Sequence, residues 1–308
     1  MKKVLFALAA VVALAACSKE QTLVTPQPDA IGFGQPFIEN STRAIDPSYS
    51  GNNKLTEFYV WGTANEVAIY DGNKVTGEVG ENSVWTCTKK NYWIEGVKYK
   101  FAAVAGGTVK TLSNGLPATI EYAANGTNDL IYAENFGDDG NGIVGQAAGD
   151  NEAVPFIFNH LLAKAKFTVS TNTNVEGYSY EITNIKIANA YASGVYNVGA
   201  ETLWTDLVVN ENGQAFDAVT VNSVNKTLEC ANEKLLIPVN DVKVSYTVTL
   251  KYGTDTIWSE NKTHNLTNDL AAANSYNFKI TVNVGEEIKF NVEQDPTWTA
   301  TDDTTITL

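Results

Sequence analysis

From residue 55 onward, apolar runs rich in aromatic and β-branched residues mark strands, and in the second half of the chain apolar and polar positions alternate with a period of two. Leu55-Thr-Glu-Phe-Tyr-Val-Trp61 opens the series, and Val97-Lys-Tyr-Lys-Phe-Ala-Ala-Val104 continues it. Tyr92-Trp-Ile94, Ala118-Thr-Ile-Glu-Tyr122 and Asp129-Leu-Ile-Tyr132 read as further strands, with turn residues between them. A second series runs through Lys164-Ala-Lys-Phe-Thr-Val-Ser170, Tyr178-Ser-Tyr-Glu-Ile182, Ile185-Lys-Ile187, Val242-Lys-Val-Ser-Tyr-Thr-Val-Thr-Leu250 and Tyr276-Asn-Phe-Lys-Ile-Thr-Val282. Such alternation sets one face on a core and the other in water. Asp71-Gly72, flanked by apolar positions, predicts a hairpin turn. No long stretch carries a helical period, and only residues 160–163 and 270–273 offer short helical candidates. Short strands separated by Gly, Asn and Asp predict an all-β chain of antiparallel β-sandwiches.

The length suits two ordinary domains better than one oversized sandwich. A Gly/Asp-rich stretch, residues 136–152, precedes a seam at 155–160, after which the second strand series begins. The expected division is therefore 44–158 and 159–308.

The N-terminus has the parts of a secretory signal. Lys2 and Lys3 supply the positive start, residues 4–14 the apolar run, and Ala15-Ala16 the small residues before a cut. That run is too short to remain as a membrane-spanning helix. Cys17 stands where a bacterial lipobox places its lipidated cysteine. Residues 1–16 thus read as a lipoprotein signal, and acyl chains of the palmitate type on Cys17 would hold the chain at a membrane. The alternative is an ordinary signal with Cys17 incidental. Residues 18–28 are polar and proline-bearing, a tether. A short apolar extended segment follows at 31–38, then a lone Arg43 before Ala44.

The formal net charge of −14 leaves no basic patch for phosphates, which argues against nucleic acid. It argues equally against anionic lipid surfaces and suits a soluble surface. With Cys17 assigned, Cys87 and Cys230 either pair or stand as buried free thiols; their separation favours free thiols. Neither Cys nor His shows metal-ligand spacing, and no cofactor is implied. Asp138-Asp139-Gly140-Asn141-Gly142 lacks the spacing of a calcium loop and reads as an acidic turn. His160, among apolar neighbours, reads as a structural histidine bonded to backbone, and His264 as a surface residue. No nucleophile elbow, phosphate loop or paired carboxylates can be placed, so the chain is expected not to be an enzyme. Trp85 and Trp93, if exposed, would offer stacking faces to a glycan. Asp255-Thr256-Ile257 matches a short bacterial O-glycosylation sequon and equally a hairpin tip.

Several of these residues fall in a familiar order. The lipobox at Cys17, residues 33–44 ending in Ser-Thr-Arg-Ala, Phe58-Tyr-Val-Trp-Gly62, Tyr92-Trp93 before Tyr99-Lys-Phe-Ala-Ala-Val104, Phe158-Asn-His-Leu-Leu-Ala-Lys-Ala-Lys-Phe-Thr-Val169 and Gly194-Val-Tyr-Asn197 together resemble the fimbrillin family. These are the pilins and accessory subunits of type V fimbriae of Bacteroidales-type bacteria. The resemblance implies two tandem transthyretin-like sandwiches and export to the outer membrane as a lipoprotein. It also implies cleavage after an arginine matching Arg43, so that the mature chain starts at Ala44. The cut would remove residues 17–43, tether and first strand together, and β-augmentation by another subunit would refill the groove. The partners implied are other copies, related fimbrial subunits and a processing protease. A host or glycan ligand belongs to the alternative, a non-polymerising surface lipoprotein such as an anchor, tip or adhesin.

The C-terminus supplies a candidate donor at 297–308. Ile288, Phe290 and Val292 alternate, and the parity resumes at Trp298, Ala300, Ile306 and Leu308. Residues 288–292 are expected to close their own domain, and the later stretch to serve as donor strand. Asp302 and Thr304 are polar positions on that donor face.

Overall fold

The computed structural model describes residues 29–38, 55–78, 84–267, 269–295 and 304–306. Their strands, in chain order, begin with β1 Phe37–Ile38, β2 Glu57–Ala64, β3 Val67–Thr76, β4 Thr86–Cys87, β5 Lys98–Ala105 and β6 Thr108–Ser113. Next come β7 Leu116–Ala123, β8 Ile131–Asn135, β9 Ile143–Val144, β10 Ile157–His160, β11 Ala163–Ser170 and β12 Tyr178–Ile187. β13 Tyr191–Asn197, β14 Trp204–Val209, β15 Gln214–Ala215, β16 Val219–Asn222, β17 Thr227–Glu229 and β18 Lys234–Leu236 follow. The last are β19 Lys243–Tyr252, β20 Asp255–Asn265, β21 Ser275–Thr281, β22 Lys289–Asp295 and β23 Thr304–Ile306. The chain is all-β, with no helix among the described residues.

One sheet runs β1-β10-β8-β5-β2-β3-β4, with β9 beside β5. Its middle strand, β5, is buried almost throughout because both faces are covered. Phe101, Ala103 and Ala105 face a core with Phe58, Tyr70, Phe156 and Phe158. Ala102 and Val104 face a second core with Trp61, Ile120, Tyr122 and Tyr132. This accounts for the continuous apolar run Phe101-Ala-Ala-Val-Ala105, since a strand buried on both faces loses its alternation.

The second core lies under a four-stranded sheet, β14-β13-β7-β6. Two of its strands precede residue 158 and two follow it, joined by antiparallel pairs from Ser193↔Ala123 to Asn197↔Thr119. A third core fills the sandwich made by the sheets β17-β11-β21-β22-β23 and β15-β12-β19-β20. There β11 and β21 run parallel through seven paired residues, Lys164↔Ser275 to Ser170↔Thr281.

Three local expectations are corrected. The hairpin between β2 and β3 turns at Asn65-Glu66, both at positive φ, in the manner of a two-residue primed turn. Asp71-Gly72 instead makes a β-bulge, two residues facing Trp61 between Val60↔Asn73 and Gly62↔Tyr70. Gly72 has φ +67° and a Cβ there would sit 3.1 Å from the Trp61 indole, so both backbone and space call for glycine. Residues 160–163 are not helical: His160 ends β10 and Ala163 opens β11. Residues 270–273 form a bridge and a turn instead, because Leu270 exchanges backbone bonds with Val239.

Candidate functional site

Residues 29–38 lie as a strand-like segment between two stretches of the first core. On one side Ala30 bridges Tyr92 and Phe33 bridges Trp85, both antiparallel. On the other side Phe33 bridges Val154 in parallel, and β1 continues the line along β10. The period-two pattern decides what enters the core. Ile31 and Phe33 point inward, 5% and 4% exposed, while Gly32 and Gly34 alternate with them. The Phe33 ring meets Tyr70 edge-on at 5.5 Å, Phe101 edge-on at 5.9 Å and Phe156 in a stack at 5.8 Å. An aromatic in such surroundings adds pairwise stabilisation to its buried area.

The backbone of the segment is bonded along its length. Trp93 N–H donates to the Asp29 carbonyl (2.9 Å) and Ile31 N–H to the Asn91 carbonyl (2.8 Å). Val154 N–H donates to Gly32, Gly34 N–H to Val154 and Phe37 N–H to Phe156, each at 2.9 Å. The Asp29 carboxylate accepts from Gly149 N–H (2.8 Å), Asn151 N–H (3.3 Å) and the Asn151 side-chain amide (2.9 Å). The Asn151 amide and Gly149 N–H hold the Asp29 carboxyl below the usual carboxylate range. Nothing local in the sequence marks this clamp, whose members stand 120 and 122 residues apart.

Most residues singled out in the sequence lie elsewhere. Cys17, Arg43, Ala44, Trp298, Ala300 and Leu308 fall outside the described residues. Ile306 belongs to β23, which runs antiparallel to β22 with Ile306 opposite Val292. β22 pairs with β21 from Lys289 to Asp295, so this stretch closes its own sheet.

Trp85 and Trp93 are buried, 6% and 5% exposed, and offer no face to a sugar. Trp93 packs on Tyr99 at 4.7 Å, and Trp85 on Phe58 at 5.5 Å. They are core aromatics because the residues 84–93 form one wall of the segment's seat. Cys87 and Cys230 are free thiols. Burial pushes the Cys230 thiol up to about 12, and its S–H donates to the Asp217 carbonyl at 3.2 Å.

His160 is structural, and a carboxylate partners its ring. Its Nδ1 lies 2.5 Å from Asp129 Oδ2, with the two side chains 3% and 11% exposed. His264 is half-buried, on a strand that is otherwise mostly exposed. Its Nε2 bonds to the Tyr246 hydroxyl at 2.9 Å, and its ring stacks on Phe290 at 4.3 Å. Burial, then nearby Lys262, lowers its proton affinity below the ordinary histidine value of 6.5. Below that pH the unfolded chain takes up a proton that folded His264 resists, so stability falls as pH drops toward the lower folded value. His264→Gln should therefore flatten the fall of the urea midpoint as pH drops below 6.5. An unchanged slope would remove His264 as its source.

An all-β chain packed around three apolar cores is by architecture a β-sandwich protein. Residues 42–296 match the fimbrillin-like family, and the chain belongs to it. That makes it a fimbrial protein of the cell surface and not an enzyme. A fimbrial protein from Bacteroides vulgatus shares the fold with a TM-score of 0.58 at 15% identity, covering 88% of this chain and 99% of its own. A Bacteroides ovatus protein proposed to act in cell adhesion does so with a TM-score of 0.52 at 15% identity, covering 90% and 99%. No curated protein matches the chain in sequence.

Proposed function

We propose that the chain is a structural subunit of cell-surface fimbriae, exported to the outer membrane as a lipoprotein through Cys17. It is trimmed after Arg43 and polymerised by donor-strand exchange. The observation that carries this reading is the seat of residues 29–38: a strand-like segment with two buried anchors, whose covalent link to the body runs through the stretch that holds Arg43. Removing it would strip Ile31 and Phe33 from the core and unpair both walls of the seat, which a strand from another copy can restore. The family match supports the same division. It begins at residue 42, beside Arg43, and ends at 296, before the candidate donor tail.

In this reading residues 44–158 and 159–308 are the two sandwich domains, with the four-stranded sheet as their seam. Other copies and related fimbrial subunits are the partners, and Trp298, Ala300, Ile306 and Leu308 are the donor positions.

N-terminal sequencing of assembled fibres should begin at Ala44, and Arg43→Ala should leave the protein lipid-bound and monomeric. Fibres whose subunits retain Cys17 would refute the trimming. Deleting residues 298–308 should block assembly without unfolding the chain; normal polymers from that variant would exclude the tail as donor.

A further inference from the structure

We propose that residues 29–38 stay seated after the chain is cut, as a noncovalent plug that an incoming strand must displace. The inference rests on the proposed cut after Arg43 and adds how the site is kept closed. Among the described residues, the contacts that hold the segment are made by residues 29–38, and the cut falls five residues beyond Ile38, so cleavage breaks none of them. The contacts are also spread over the whole length. Asp29 is clamped by Gly149 and Asn151 at one end, Ile31 and Phe33 are buried in the middle, and β1 is paired with β10 at the other end. Fraying at one end leaves the rest in place, as in any multivalent attachment.

The two ends are not equivalent. Phe33 is bridged on both sides, whereas among the described residues β1 is paired on one side only. An incoming strand therefore gains its first backbone bonds beside β1 and works back toward Phe33, and the Asp29 clamp releases last. Cleavage and exchange become separate steps: the cut subunit keeps its membrane tether until a partner strand arrives, and the apolar seat is never left open.

Arg43 is the sole arginine of the chain, so an arginine-specific protease has a single place to act. The test cuts the lipoprotein precursor in detergent and passes it over a sizing column under native conditions, with intact masses measured across the peak. The peptide ending at Arg43 should co-elute one-to-one with the body that begins at Ala44. Asp29→Ala and Phe33→Ala precursors, cut in the same way, should lose the peptide at least about tenfold faster. A second variant carries the recognition sequence of an unrelated protease at residues 39–42, so that the cut is imposed whatever acts at Arg43. Loss of the peptide during the first column passage from either cut chain overturns the plug. Equal retention in the Asp29→Ala and Phe33→Ala chains overturns it too, because the named contacts would not be what holds the peptide. A precursor that the arginine-specific protease leaves intact counts against the Arg43 reading alone, and the second variant still decides the plug.

Discussion

Phe33→Ala should lower the stability of the uncut precursor by about 3–5 kcal/mol, the usual range for emptying a buried phenylalanine site. The ring is 4% exposed and touches Tyr70, Phe101 and Phe156, side chains of the strands and loop that wall the first core. Gly32 and Gly34 beside it offer no side chain that could swing into the gap. Guanidinium unfolding followed by tryptophan fluorescence reads the effect directly, because Trp85 and Trp93 line the same core. The parent chain that begins at Ala44 lacks the residue and supplies the comparison. If the segment is an integral strand, the Phe33→Ala midpoint should fall toward that of the shortened chain. Equal midpoints for parent and variant precursors would mean that the segment rests on the core without contributing to it.

The second large effect lies at the corner where the chain leaves the first sheet. Asp129→Ala should destabilise the fold by about 3–5 kcal/mol, the usual cost of breaking a buried pair by removing one of its members. Asp129 precedes β8 and His160 ends β10, two neighbouring strands paired through Asn159↔Tyr132 and His160↔Ile131. The Asp129 Oδ1 accepts the Leu130 N–H at 2.8 Å, and the Tyr122 hydroxyl donates to the adjacent Asn128 carbonyl. The pair thus fixes the strand ends against a residue of the neighbouring sheet. Asp129→Asn keeps the shape and an acceptor oxygen and should lose less. Thermal unfolding of the two variants separates the cases; a loss below about 1 kcal/mol for Asp129→Ala would show that the corner is held by packing alone.

Much of the strand pattern was legible because it is local. A β-strand sends successive side chains to opposite faces, so Lys164-Ala-Lys-Phe-Thr-Val-Ser170 and Tyr276-Asn-Phe-Lys-Ile-Thr-Val282 declare their buried faces without reference to the rest of the chain. The errors are also local in origin. Asp71-Gly72 has the composition of a turn, yet a bulge asks for the same positive φ at glycine, and only the facing strand distinguishes the two. Tyr92-Trp-Ile94 alternates like a strand, but among the described residues its only ladder contact is the bridge from Tyr92 to Ala30.

What could not be read from the chain is which surfaces meet. Exposed and buried tryptophans look alike in sequence, so Trp85 and Trp93 stood as candidate sugar platforms until their core neighbours were known. Polar residues carry no mark of their partners at long separation, which hid Asp29 with Asn151 and Asp129 with His160. The sequence by itself determined the all-β class, the apolar pattern of the N-terminal segment and the single arginine beyond it, since each is a property of neighbouring residues. Only the tertiary structure decided that this segment is wedged between residues 84–93 and 154–158 with Phe33 in the core. It alone decided that β7 pairs with β13 across the seam. Pairing between distant strands depends on the closure of long loops and the shape of shared cores, and no local period encodes either.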